Sequence, residues 1–226
     1  MSGRKTGKEN DRLAGTSYDF QHGGTGYLFR NTETERRNNK RENRNGRKQM
    51  KRIAKFQKVS YEQFTEGWID TFGATNAEEI KTIYDHIKLP KRATSGSAGY
   101  DFYAPVTLTM KPGETVKVPT GIRVEMEENW VLKCYPRSGL GFKYRLQLNN
   151  TVGIIDSDYF YSDNEGHIFA KITNDTNENK TVEIPEGTGF MQGIFVEYGI
   201  TVDDDVTSVR NGGFGSTTQS WKMRKL

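Results

Sequence analysis

The chain has 226 residues and a mass of 25.8 kDa, enough for one sizeable domain or two small ones. Apolar residues make up 33% and charged residues 27%, with a mean hydropathy of −0.80, a globular mixture with part of the length outside any core. The net charge of +4 is unevenly spread: residues 1–49 hold 12 Lys and Arg against 6 Asp and Glu, and the remaining 177 residues hold 21 against 23. A lone cysteine, Cys134, excludes an intramolecular disulfide framework and a multi-cysteine zinc site.

Residues 1–49 are basic, rich in Gly and Asn, and contain a stretch, 35–49, with no apolar residue. Such a segment cannot bury enough surface to offset its ordering entropy, so a disordered tail is expected. The aromatics Tyr18, Phe20, Tyr27 and Phe29 leave a nucleic-acid arm open beside a merely solvated tail, or sequence upstream of a start at Met50. No hydrophobic stretch follows the basic residues, and no run of 18 apolar residues occurs, so neither a secretory signal nor a membrane span is expected. A cytoplasmic protein is the expectation.

Residues 50–88 form a second region. Tyr61, Phe64 and Trp68 fall at helical spacing, as do Ile80, Ile83, Tyr84 and Ile87. Asn76 followed by Glu79 predicts a capped start for the second helix, and Leu89-Pro90 its end. From Pro90 onward short alternating runs are separated by Gly, Pro, Asn and Asp, among them 115–126, 130–136, 144–148, 166–174, 180–184 and 190–200. No helix-length pattern divides them, which argues against parallel βαβ units. An all-β barrel or jelly-roll-like double sheet is expected over 89–209, with a mobile glycine-rich segment at 210–226.

Five stretches carry more glycine and polar residues than strands and turns require: SAGYDFYA (97–104), YPRSGLGFK (135–143), NNTVGIIDSDYFY (149–161), GTGFMQGIF (187–195) and RNGGFGSTT (210–218). The last offers unobstructed backbone N–H groups, hydroxyls and an Arg, which suits a triphosphate, while an aromatic within a glycine run suits a base-stacking lid. PRSG repeats the theme, although a plain glycine turn explains either stretch equally well. Asp156 and Asp158 are expected on one side of an extended strand beside Tyr159, where they could hold Mg²⁺, activate a water, or simply be acidic turn residues. Asp101 carries the same ambiguity, and no P-loop sequence occurs.

In order and spacing the five stretches resemble the five motifs of the trimeric dUTP pyrophosphatases (dUTPases), over residues 98–218. The resemblance implies Mg²⁺-assisted hydrolysis of dUTP to dUMP and pyrophosphate, limiting uracil in DNA and supplying dUMP for dTMP synthesis, in a homotrimer with shared active sites. It implies Asp156 as the general base for the attacking water and Asp101 as a holder of the Mg²⁺ through its water shell. Arg137, Ser138, Gly139 and Gln192 would contact the phosphates. Asn150 would read the uracil edge together with the backbone around Gly153, Ile154 and Ile155, and Tyr159 would pack under the deoxyribose. Arg210 would grip the γ-phosphate, Phe214 would cap the base, and Gly215, Ser216 and Thr217 would close over the triphosphate.

Three features depart from that pattern. Gly189 stands where the fourth motif usually has an arginine, and residues 160–165 are inserted after Tyr159, read as a longer hairpin loop. The helical segment 59–88 precedes the usual start of the domain and has no role in the pattern; it could cover a trimer surface or dock a partner. Alternatives are a phage-type dUTPase with an added regulatory protein partner, bound at the insert or the N-terminal additions, and the related dCTP deaminase. Against the deaminase, PRSGLGFK continues in the hydrolase form and HIFAKI (167–172) carries no glutamate.

Overall fold

The computed structural model describes residues 50–74 and 76–210. The disorder expected of 1–49 and the lid expected from Phe214, Gly215, Ser216 and Thr217 lie outside these residues. The described chain starts with strand β1 (Ala54–Lys58) and helices α1 (Tyr61–Phe72) and α2 (Ala77–His86). Strands β2 (Lys91–Arg92), β3 (Tyr100–Tyr103), β4 (Leu108–Met110), β5 (Thr115–Pro119), β6 (Ile122–Met126) and β7 (Trp130–Pro136) follow. Helix α3 (Ser138–Tyr144) leads to β8 (Leu146–Leu148), β9 (Gly153–Ile155), a 3₁₀ turn (Ser157–Tyr161), β10 (Phe169–Asn174), β11 (Val182–Ile184) and β12 (Gly189–Glu197).

All recorded strand pairs are antiparallel. A five-stranded sheet runs β2-β3-β12-β7-β9, and a three-stranded sheet runs β5-β10-β8. Two ribbons, β1-β6 and β11-β4, complete the all-β barrel. Side-chain alternation builds it: Ala170 and Ile172 of β10, Leu146 and Leu148 of β8, and Val182 and Ile184 of β11 point inward, while Lys171, Gln147 and Glu183 between them face water. Phe102, Val118, Leu132, Ile172 and Phe190 are almost fully buried in one core, each apolar side chain contributing about 1.5–3 kcal/mol of transfer free energy. Asn174 is buried among them, and its amide donates to the Met110 and Lys180 carbonyls (both 2.9 Å), tying β10 to the β4-β11 ribbon.

The helical period over 59–87 gives the two helices expected, the second starting after Asn76. Ser60 caps α1 by accepting from the Gln63 N–H, and Gly73, with φ +81°, ends it. Asn76 caps α2 by accepting from the Glu78 N–H. Val59, Phe64, Trp68, Ile80 and Ile83 form a small core of their own, and Ile87 and Val106 pack against both cores. Helix α2 stops at His86, before Leu89-Pro90. The strand β1 ahead of the helices was not legible as such. It pairs with β6, Phe56 lying opposite Val124 and its ring 5.7 Å from Phe102.

Two expectations about residues 156–165 are corrected. Asp158 does not sit on an extended strand, because β9 ends at Ile155 and a 3₁₀ turn begins at Ser157. Nor is the insertion a hairpin loop, since β9 pairs with β7 whereas β10 pairs with β5 and β8, so this segment crosses between sheets. It folds tightly. The Asn164 amide donates to the Tyr159 hydroxyl (2.8 Å), which donates to the His167 carbonyl (2.8 Å). Gly166, at φ +71°, leaves no room for a Cβ, which would fall 2.7 Å from the Tyr159 carbonyl oxygen.

Candidate active site

The predicted residues come together in groups. On the five-stranded sheet, Asp101 of β3 lies directly opposite Gln192 of β12, and the Arg137 guanidinium at the end of β7 reaches Asp101 (Nε to Oδ1, 3.3 Å). Gly189 explains how Arg137 fits. A Cβ there would fall 3.0 Å from Arg137 Nη1 and 3.3 Å from the Asp101 Cβ, so the arginine side chain packs closely over the bare glycine. Gly99 serves Gln192 in the same way, its hypothetical Cβ falling 2.5 Å from Gln192 Oε1. Ser138 and Gly139 open α3 next to Arg137, and a Cβ at Gly139 would meet nothing within 4 Å. Packing among the described residues therefore does not demand glycine at 139.

A second group lies at the end of β9. Asp156 is the extended residue between β9 and the 3₁₀ turn that carries Asp158 and Tyr159. Arg210 joins both carboxylates, Nη2 donating to Asp156 Oδ2 (2.5 Å) and Nε to Asp158 Oδ1 (2.8 Å). Its guanidinium lies 5.9 Å from the centre of the Tyr159 ring. Tyr159 is buried, and burial raises its hydroxyl pKa, opposed by the Asn164 hydrogen bond and the Arg210 charge.

Asn150 and Gly153 line a cavity of about 520 Å³, inside the usual range of about 300–1,000 Å³ for small-molecule pockets. It lies between β9 and β10, with Ile155, Cys134, Met191, Phe169 and Lys117 among its walls. Gly153 is close-packed, a Cβ there falling 3.0 Å from the Cys134 Cβ. Ile154, between the two lining residues of β9, faces outward and is half exposed, as strand alternation requires. Burial pushes the Cys134 thiol up to about 12, which keeps it protonated and unreactive. Sequence reasoning did not select Phe169 or Lys117. The alternation in 166–174 puts Phe169 and Lys171 on one face, but no local signal says that this face borders a pocket. Asp158 stood out beside Asp156 as a carboxylate, but its pairing with Arg210, 52 residues away, had no local signal.

Among the described residues no cluster of three or more His, Cys, Asp or Glu side chains is placed to hold a metal ion by itself. A single carboxylate such as Asp101 fits a magnesium ion carried mainly by substrate phosphates and water, because Mg²⁺ dehydrates reluctantly. No helix among these residues is long and apolar enough to cross a membrane.

Comparison with known proteins agrees with the motif resemblance. The dUTPase family model matches residues 85–218. The deoxyuridine 5′-triphosphate nucleotidohydrolase of Lactococcus lactis subsp. lactis is 41% identical over 144 residues, covering 62% of this chain and 95% of the relative. The enzyme of the same name from Hahella chejuensis is 38% identical over 143 residues, covering 61% and 91%. Among solved structures, the dUTPase from Streptococcus mutans is 39% identical, with a TM-score of 0.46, covering 51% of this chain and 89% of that one.

Proposed function

The chain belongs to the dUTPase family, and from that premise we propose that it hydrolyses dUTP to dUMP and pyrophosphate. The observation that carries this reading is the placement of the Asp156 carboxylate at the end of β9, the strand whose Gly153 and Ile155 line a nucleoside-sized cavity with Asn150. A nucleotide whose base is bound there would have its phosphates near a carboxylate able to orient and deprotonate a water. That water attacks the α-phosphorus and pyrophosphate leaves. The chemistry asks for alignment and charge stabilisation more than for covalent catalysis.

The residues divide the work. Asn150 and the backbone of Gly153, Ile154 and Ile155 read the base, and Tyr159, fixed through its hydroxyl, presents its ring to the deoxyribose. Arg137, Ser138, Gly139 and Gln192 hold the phosphate chain, Gly139 leaving backbone bare for close approach. Arg210 grips the γ-phosphate, and to do so it exchanges Asp156 and Asp158 for phosphate oxygens, which frees the base when substrate arrives. Phe214, Gly215, Ser216 and Thr217 close over the substrate. Asp101 would hold Mg²⁺ through water, and the ion would supply charge neutralisation to the triphosphate.

We further propose a homotrimer with shared active sites, and a cytoplasmic setting. The division into a tail (1–49), a helical segment (50–88), a β-barrel (89–209) and a closing segment (210–226) completes the reading. It is tested by pyrophosphate release from dUTP, dCTP, dTTP and UTP with Mg²⁺. The wild type should prefer dUTP, and Asp156→Asn should lose about 10²–10⁴-fold in kcat. A wild type that spares dUTP, or an Asp156→Asn variant at full rate, would overturn it.

A further inference from the structure

Helix α1 lies outside the five motifs, yet it touches the wall of the cavity. Phe169 both lines the cavity and packs on α1 at Gly67, where an added Cβ would fall 2.8 Å from Phe169 Cζ and 3.0 Å from His167 Cε1. A second link is polar. Asp70 of α1 accepts from the Lys117 ammonium at 2.6 Å; Lys117 also lines the cavity, and its nitrogen lies 4.5 Å from the centre of the Phe169 ring. His167, its ring tilted against Phe169 at 4.2 Å, is immobilised by accepting the Gly121 N–H at Nε2 (2.9 Å). Phe169 is thus held on one side by a helix that comes within van der Waals reach only because residue 67 has no side chain.

Glycine in the middle of a helix costs about 0.5–1 kcal/mol relative to alanine, and backbone need does not explain it here, since Gly67 has ordinary helical geometry. Close approach to Phe169 does. We propose that α1 is a positioning element of the nucleobase pocket: through Gly67 and Asp70 it sets where Phe169 and Lys117 stand, and so how well the pyrimidine of the substrate seats. This rests on the cavity being the base site of the proposed dUTP hydrolysis, and it gives the N-terminal helices a role in binding.

The test uses the full-length protein with dUTP and Mg²⁺, comparing wild type, Gly67→Ala, Phe169→Leu and the double variant, with thermal unfolding of each. Gly67→Ala pushes the Phe169 ring toward the cavity, so KM rises about tenfold while kcat stays within about twofold, the pattern of lost ground-state and transition-state binding together. Phe169→Leu shortens the side chain that the new methyl meets. Adding Gly67→Ala to it therefore changes KM by less than about twofold, a coupling expected only of residues in contact. If Gly67→Ala leaves KM unchanged, or raises it equally in both backgrounds, the proposal fails. It also fails if only the unfolding temperature moves, because that marks a purely structural helix. A wild type inactive on dUTP would instead overturn the functional premise, and the two failures are told apart by the wild-type rate alone.

Discussion

His167 should make this protein acid-sensitive in a defined window. The side chain is fully buried beneath α1, facing Phe64 and Gly67 of that helix, Phe169 of β10, and the Lys117 ammonium from β5. Burial, and secondarily the Lys117 charge, lowers its pKa to about 3. The folded state therefore keeps imidazole neutral, accepting from Gly121 N–H at Nε2, while the unfolded chain takes up a proton near pH 6.5. Because the folded pKa is the lower one, the contribution is complete above pH 6.5 and is lost as pH falls from 6.5 toward 3. At about 1.4 kcal/mol per pH unit the ceiling is about 5 kcal/mol, and about 2 kcal/mol is gone by pH 5, a large share of a typical domain stability of about 5–15 kcal/mol. The perturbation is His167→Gln, whose amide oxygen can still accept the Gly121 N–H. Urea unfolding at pH 7.5, 6.5, 5.5 and 5.0, at one fixed protein concentration, gives the two pH profiles. The wild type should lose about 2 kcal/mol more than the variant between pH 7.5 and 5.0. Parallel profiles would refute the reasoning.

Two further outcomes are expected. Gly189→Ala, with no backbone obstacle at that position, should displace Arg137 from Asp101 and lower kcat/KM for dUTP about tenfold, or about 1.4 kcal/mol of barrier; an unchanged or improved rate would mean that Arg137 has no need of that space. Glu165 accepts from both the N–H (2.8 Å) and the hydroxyl (2.6 Å) of Ser60 and lies 3.6 Å from Arg123. Replacing it with Gln should cost about 1–2 kcal/mol and lower the unfolding midpoint by about 4 °C, whereas an unmoved midpoint would show the inserted segment to be unconnected energetically to α1.

The inserted segment shows why the tertiary structure was needed. In sequence it interrupts the third motif and looks like a free loop suited to a partner. In the fold its Phe160 ring lies under the Arg123 guanidinium (3.6 Å), its Asn164 holds the Tyr159 hydroxyl, and its Glu165 binds the start of α1. None of these partners is near in the chain, except those within the turn itself. The 3₁₀ turn at Asp158 was missed for a related reason: two carboxylates spaced i, i+2 look alike in a strand and in a turn, and the deciding partner, Arg210, comes 52 residues later.

What the amino-acid sequence determined by itself is the local chemistry and its order. Alternation at Leu146–Leu148, Phe169–Asn174 and Val182–Ile184 specified strands, helical spacing at Tyr61, Phe64 and Trp68 specified α1, and the five glycine-rich and acidic stretches specified the family. Those signals are short-ranged, since a strand's period or a cap needs only a few neighbouring residues. Tertiary structure alone decided that Gly189 yields its space to Arg137, that Phe169 borders the cavity, and that α1 reaches that wall. Each depends on a volume shared by segments far apart in the chain, and an empty position such as Gly67 acquires meaning only from what packs against it.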